Sequence, residues 1–215
     1  MKFILALFLV TSVPFGTTAD KELASTYIST YKDIAIQEMH RTGIPASIKL
    51  AQGLLESDWG RSDLATSANN HFGIKCGGSW DGNTFYKEDD DRDRKGKLIK
   101  SCFRAFSNPT ESYMAHSDFL TDPKKEYRYG FLFNYKSDDY RSWAKGLKKS
   151  GYASDPKYPD KLITIIKKYN LDQFDEAISD DSFTYATSVR KTKRKKRSTK
   201  RKSSKKKPVK KKWAM

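Results

Sequence analysis

The last 26 residues, RKTKRKKRSTKRKSSKKKPVKKKWAM, hold sixteen Lys and Arg and no acid. A run so charged and so poor in apolar side chains cannot bury enough surface to offset the entropy lost on ordering, so whatever folds must lie before it. Disorder is expected from about Asp180 onward. The whole chain carries 42 Lys and Arg against 26 Asp and Glu, a formal net charge of +16. With the sixteen tail residues set aside, bases and acids balance at 26 each, so the net charge belongs to the tail alone. Such a tail is drawn to polyanions. Three readings stay open for it: contact with anionic envelope polymers or lipids, a passive solubilising role, and nucleic acid. Confinement of the charge to the tail weighs against a dedicated nucleic-acid site.

The other end, MKFILALFLVTSVPFGTTAD, has a lone Lys2, an apolar run from Phe3 to Val10, and small residues with Thr17 and Ala19 placed as at a cleavage site. This reads as a secretory signal peptide over residues 1–19, with Asp20 the first mature residue. The competing reading is an uncleaved membrane anchor, but the apolar run is far short of the roughly 20 residues a span needs. No Cys follows the run to carry a lipid. Export to the periplasm, the cell envelope or the medium is therefore expected, which favours envelope polyanions as partners of the tail.

Between the ends lies a segment long enough for one core, taken as a domain over residues 20–178 with the tail over 179–215. It holds the only two cysteines, Cys76 and Cys102. In an exported chain an isolated pair favours a disulfide, with two buried thiols as the alternative. His40, His71 and His116 show no metal-ligand spacing, so neither metal nor cofactor is expected.

Apolar spacing predicts a long amphipathic helix through Leu23, Tyr27, Tyr31, Ile34, Ala35 and Met39, stopped at Gly43. A second is expected from Pro45 to Gly60. From Asn70 to Phe106 glycine pairs and short aromatic runs predict a small antiparallel hairpin or three short strands, with EDDDRDRKGK at a turn and the cysteines stapling its arms. Helices return: one opened by Asn108, Pro109 and Glu111 and running to Leu120, one over 138–149, and one from about Pro159 to Tyr169. The fold class is α+β, mostly helical with a small β excursion.

On the second helix Ile48, Ala51, Gln52, Leu55 and Trp59 share a face, and Glu56 lies at its edge, roughly 80° from Ile48. A carboxyl half embedded beside Trp59 and Leu55 loses water from its charged form, which raises its pKa toward that of a general acid. Periodicity alone favours the plainer reading, a solvent-side glutamate of an amphipathic helix, because helix edges are full of glutamates.

The run GIPASIKLAQGLLESDWGRSDLATSANNHFGIKC resembles glycoside hydrolase family 73, the flagellar-type and autolysin-type β-N-acetylglucosaminidases of the lysozyme-like superfamily. The residues that carry the resemblance are Ala51, Gln52, Glu56, Ser57, Trp59, Gly60, Asn70 and Phe72 to Lys75, followed by CFRAF, PTESY and GYASDPKYPDKL. It spans about Tyr27 to Phe174 and leaves out the basic tail. The resemblance implies a lysozyme-like fold and hydrolysis of the β-1,4 bond after N-acetylglucosamine in peptidoglycan glycan strands, with Glu56 as general acid. The family's second acid follows a Trp-x-Gly, here Trp80 to Gly82. This sequence departs from the usual glutamate beside an aromatic and offers YKEDDDRD, in which counting from Trp80 points to Asp91 or Asp90. Tyr152 matches a family tyrosine near the reacting carbon, with Ser154 in place of threonine. Asn70, His71 and Phe72 are expected to shape the cleft floor, and Trp59 and Trp80 either stack on sugars or belong to the core. The resemblance offers no reason for His71, which stands where an apolar residue is expected.

Alternatives to the hydrolase are a lytic transglycosylase of the same superfamily, in which one Glu suffices, and a wall-binding or scaffold protein whose site has decayed. A monomer is expected in each case.

Overall fold

A computed structural model of the chain describes residues 18–77, 80–92 and 95–176. Most of the expected leader and all of the basic tail lie outside these residues. Helix α1 (Thr18–Thr42) buries Ala24, Tyr27, Ala35 and Met39 at helical intervals and ends where expected, at Gly43 with φ +82°. The Gly43 N–H closes the end by donating to Met39 O at 2.7 Å.

Helix α2 (Ala46–Glu56) is buried without interruption from Ala46 to Leu54, which makes it the central helix of the core rather than a surface one. Against it pack α1, the later helices α6 (Tyr140–Lys149) and α7 (Tyr158–Lys168), and the 3-10 turn Leu171–Phe174. Pro45 supplies no side-chain cap; Asp175 does so from the far end of the fold, accepting from Ser47 N at 2.8 Å and Ser47 Oγ at 2.5 Å. Burial pushes the Asp175 carboxyl up to about 7, against the pull of those two bonds. Contrary to the sequence expectation, α2 stops at Glu56, not at Gly60.

A short helix, α3 (Asp63–Ala68), leads into the β excursion. Strands β1 (Thr84–Arg92) and β2 (Leu98–Arg104) pair antiparallel, with Tyr86 opposite Cys102 and Glu88 opposite Lys100, and a register shift between Glu88 and Arg92. The first half of the run, Glu88 to Arg92, is therefore strand, a correction with an electrostatic cause, while Lys95 and Gly96 form the turn as expected. Glu88 faces Lys100 across the ladder, and Asp89 pairs with Lys75 at 2.8 Å, so opposite charges relieve the crowding of like ones.

The Cys76–Cys102 disulfide is formed, with Cα atoms 5.5 Å apart. It ties the segment before β1 to β2 rather than one hairpin arm to the other, beside the backbone bond from Cys76 N to Cys102 O at 3.0 Å. With its partners 26 residues apart, the link contributes about 3 to 4 kcal/mol on the chain-entropy account. Reduction is expected to lower the urea midpoint accordingly; an unchanged midpoint counts against that contribution.

Helix α4 (Pro109–Thr121) opens as the sequence indicates: Asn108 accepts from Glu111 N at 3.1 Å, and Glu111 reaches back to Ser107 N at 3.1 Å. A chain of short turns, including the four-residue helix α5 (Glu126–Tyr129), then leads from α4 to α6 and shows no periodicity from which it could be read. Asp139 caps α6 through Ser142 N at 3.0 Å, and α7 buries Tyr158, Leu162, Ile165 and Ile166.

Candidate active site

The site is built on the end of α2. After Glu56 the backbone enters three successive left-handed residues, Asp58, Trp59 and Gly60, with φ of 49°, 55° and 84°. Left-handed geometry at the two non-glycine positions costs about 1 to 2 kcal/mol each, so the turn persists only because other bonds fix it. Ser57 supplies them: its Oγ donates to Gly53 O at 2.5 Å and accepts from Gly60 N at 2.8 Å, while Trp59 N donates to Leu54 O at 2.9 Å. At position 60 a Cβ would lie 3.0 Å from the Tyr27 ring as well as in strained backbone, so glycine is required. The Glu-Ser-x-Trp-Gly spacing is thus a stop signal that leaves Glu56 as the last helical residue.

Glu56 is half-buried, and Oε1 accepts the Tyr158 hydroxyl at 2.9 Å. Tyr158 Oη in turn accepts from Gln52 Nε2 at 2.9 Å, one turn back on α2. The protein packed around the carboxyl pushes its pKa up to about 7, while the Tyr158 bond and the charge of Lys161 pull the other way. The negative end of the helix dipole acts in the same direction as burial. Lys161 is itself held by Asp155 at 2.7 Å.

Tyr152 lies beside this group, its ring 5.9 Å from that of Tyr158. Burial and the charge of Glu56 hold its phenol well above the ordinary value, so it is a neutral hydroxyl. Its Oη lies 3.1 Å from His116 Nε2, and His116 Nδ1 lies 3.2 Å from Lys49 Nζ. Lys49 is fully buried, yet its ammonium also meets Tyr113 O at 2.9 Å and Ser117 Oγ at 2.6 Å. Burial lowers the Lys49 pKa to about 7 and keeps His116 well below its usual range.

Of the other residues singled out in the sequence, Asn70 is buried and spends its amide on backbone, donating to Ile74 O and Arg104 O and accepting from Ile74 N. Phe72 is fully buried, stacked on His116 with ring centroids 4.2 Å apart. Both lie beneath the surface and shape it from below. His71 has a structural role: its Nδ1 meets the Tyr27 hydroxyl at 3.0 Å, and Tyr113 donates to the same hydroxyl at 3.0 Å. Gly53 leaves room for that cluster, since a Cβ there would lie 2.6 Å from Tyr27 Oη. Trp80 folds over Gly82, where a Cβ would come within 2.5 Å of its ring, and Arg104 covers it at 4.6 Å. That contact is the physical reason for the Trp-x-Gly spacing. Trp59 lines a groove of about 530 Å³ with Tyr27, Tyr31, Thr26 and Thr30, on the α1 side of the turn and without Glu56, Tyr152 or Tyr158. Asp90 and Asp91 lie on β1 within the stretch between Glu88 and Arg92 where the register shifts; their side chains are outside the described residues.

The profile of one family, described as mannosyl-glycoprotein endo-beta-N-acetylglucosaminidase, matches residues 32–171, well over half of the chain. The chain belongs to this glucosaminidase family, glycoside hydrolase family 73. It is 32% identical over 195 residues to the exo-glucosaminidase LytG of Bacillus subtilis, a match covering 81% of this chain and 67% of LytG. It is 29% identical to the peptidoglycan hydrolase FlgJ of Vibrio parahaemolyticus, over 71% of this chain and 49% of that protein. The chain thus spans two thirds of one curated relative and about half of the other. Among solved structures, the catalytic domain of the autolysin Auto from Listeria monocytogenes matches with a TM-score of 0.60 at 26% identity, covering 77% of this chain and 91% of that one.

Membership makes the chain a glycosidase of lysozyme-like α+β fold. Within the glucosaminidase domain, four residues at or behind Glu56 escaped the sequence reading as members of the site. Gln52 and Tyr158 lie inside quoted motifs, but nothing in periodicity separates a core polar residue from one that holds a carboxylate. His116 and Lys49 carried a weaker signal: both fall on apolar faces of their helices, where a titratable group needs a partner.

Proposed function

We propose that the protein hydrolyses the β-1,4 bond after N-acetylglucosamine in peptidoglycan glycan strands, with Glu56 donating the proton to the leaving oxygen. The observation that carries this reading is the Glu56 carboxyl itself, half-buried at the end of α2 and raised to about 7, which keeps a proton available near neutral pH. Supporting it, relatives of this chain are named exo-glucosaminidase and peptidoglycan hydrolase. Asp90 or Asp91 on β1 serves as the second carboxylate, activating water or supporting the oxocarbenium-like charge. Tyr152 offers a neutral phenol beside Glu56 to position the substrate N-acetyl group or stabilise developing charge, and Trp59 offers a face for sugars, whereas Trp80, covered by Gly82 and Arg104, serves the fold.

Digestion of purified peptidoglycan followed by mass analysis tests the reading. Reducing N-acetylglucosamine ends are expected. Anhydro-muramyl ends would assign the protein to the lytic transglycosylases, and wall binding without release of fragments would assign it to scaffolds.

The working unit in this proposal is a monomer of residues 20–178, exported after removal of residues 1–19, with the basic tail of 179–215 holding it to anionic envelope polymers or lipids. Deletion of 179–215 is expected to abolish salt-sensitive binding to anionic wall material while leaving cleavage of soluble glycan fragments unchanged. Equal retention with and without the tail would refute this role.

A further inference from the structure

Gln52 is wholly buried, and among the described residues its amide has one hydrogen-bond partner: Nε2 donates to Tyr158 Oη at 2.9 Å, while Oε1 has none. An orphan carbonyl in a core calls for an explanation. Turning the amide over keeps the single bond to Tyr158 but reverses its direction, because Oε1 can only accept and Nε2 can only donate. Tyr158 Oη has one proton and lies between two partners, Gln52 on one side and Glu56 Oε1, also 2.9 Å away, on the other.

The two ends of this chain are therefore coupled. Ionised Glu56 can only accept, so Tyr158 must give it the proton and take one from Gln52 Nε2, which is the arrangement in the structure. Protonated Glu56 can donate to Tyr158 Oη; the phenol proton then turns toward Gln52, and the carbonyl must face it. We propose that, in the protein without substrate, Gln52 and Tyr158 form a reversible hydrogen-bond switch whose direction follows the protonation of Glu56 Oε1, so that the carboxyl keeps its Tyr158 partner with and without the proton. Both are positioning residues, Tyr158 by contact with Glu56 and Gln52 through Tyr158. The orphan atom of Gln52 is what leaves the amide free to turn, since a second partner would lock it in one direction.

Among the described residues, the ionisable groups acting on Glu56 are Tyr158 and Lys161 from α7 and Tyr152 from the loop before α7. The two phenols stay protonated across the neutral range, because burial and the charge of Glu56 raise both, so they do not supply a competing transition.

The inference rests on Glu56 as the proton donor of the proposed reaction, but its test needs no turnover. Side-chain amide resonances of Gln52 are followed by isotope-edited NMR of the protein from pH 5 to 9, alongside the carboxyl carbon of Glu56. The Gln52 signals are expected to shift with the same midpoint as Glu56, to stay flat in Glu56→Gln, and to stay flat in Tyr158→Phe although Glu56 still titrates there. Flat Gln52 signals in the wild type while Glu56 titrates would overturn the switch, as would titrating Gln52 signals in Tyr158→Phe, which would mean that the amide senses charge and not the phenol. Tyr158→Phe also removes a donor to the carboxylate, so the Glu56 midpoint is expected to rise by about one pH unit. Coupled signals in a protein that releases no glycan would leave the switch standing and refute the hydrolase reading.

Discussion

Glu56→Gln is expected to lower peptidoglycan cleavage by a factor of about 10² to 10⁴, the range over which general acid catalysis contributes. The amide keeps the shape of the side chain and an oxygen that can accept the Tyr158 hydroxyl, so the loss is chemical and not structural. The pH dependence carries the same signature. With the wild-type carboxyl raised to about 7, the fraction holding a proton falls tenfold per pH unit above that value, and kcat/KM should fall with it on the alkaline side. Stability follows by linkage. The folded pKa lies above the ordinary carboxyl value of 4.5, so the folded state binds more protons than the unfolded between the two. The stabilisation from this group is complete below pH 4.5 and is lost as pH rises through about 7. Glu56→Gln should remove that slope, leaving the variant at least as stable as the wild type at pH 8. Undiminished cleavage by the variant would show that another group delivers the proton.

Phe72→Ala is expected to cost about 3 to 5 kcal/mol of stability, a large part of what a domain of this size has to lose. The side chain is wholly enclosed, stacked on His116, edge-on to Tyr113 at 4.8 Å, and under the Lys49 ammonium at 5.5 Å. Its removal opens a cavity against two groups that hold buried polar partners, so neighbouring side chains cannot simply collapse into it. Urea unfolding should show a lower midpoint at unchanged slope. Where the variant is still folded, KM for glycan fragments should match the wild type, since Phe72 does not reach the surface. A raised KM at full stability would instead make Phe72 a contact residue of the cleft. Phe72→Leu, which leaves less empty volume, is expected to fall between the two.

Local signals decided much of this protein before any tertiary contact was considered. The spacing of Tyr27, Ala35 and Met39 before Gly43, and the Asn108, Pro109 and Glu111 start, specify α1 and α4, because helix periodicity and capping act within a few residues. The motif around Glu56 identified the family, and Glu-Ser-x-Trp-Gly does so by a local device, a hydroxyl that closes a left-handed turn. What only the tertiary structure decided lies at long range. Asp175 caps a helix 128 residues away in sequence, Tyr158 meets Glu56 across 102 residues, and His116 joins Tyr152 across 36. Glu88 to Arg92, the first half of the acid run, became strand because of partners on β2 and at Lys75. His71, opaque in the sequence, is explained by two phenols from α1 and α4. Local propensity is written along the chain, whereas the desolvation that raises Glu56 and the partners that hold it exist only once α2 and α7 are packed together.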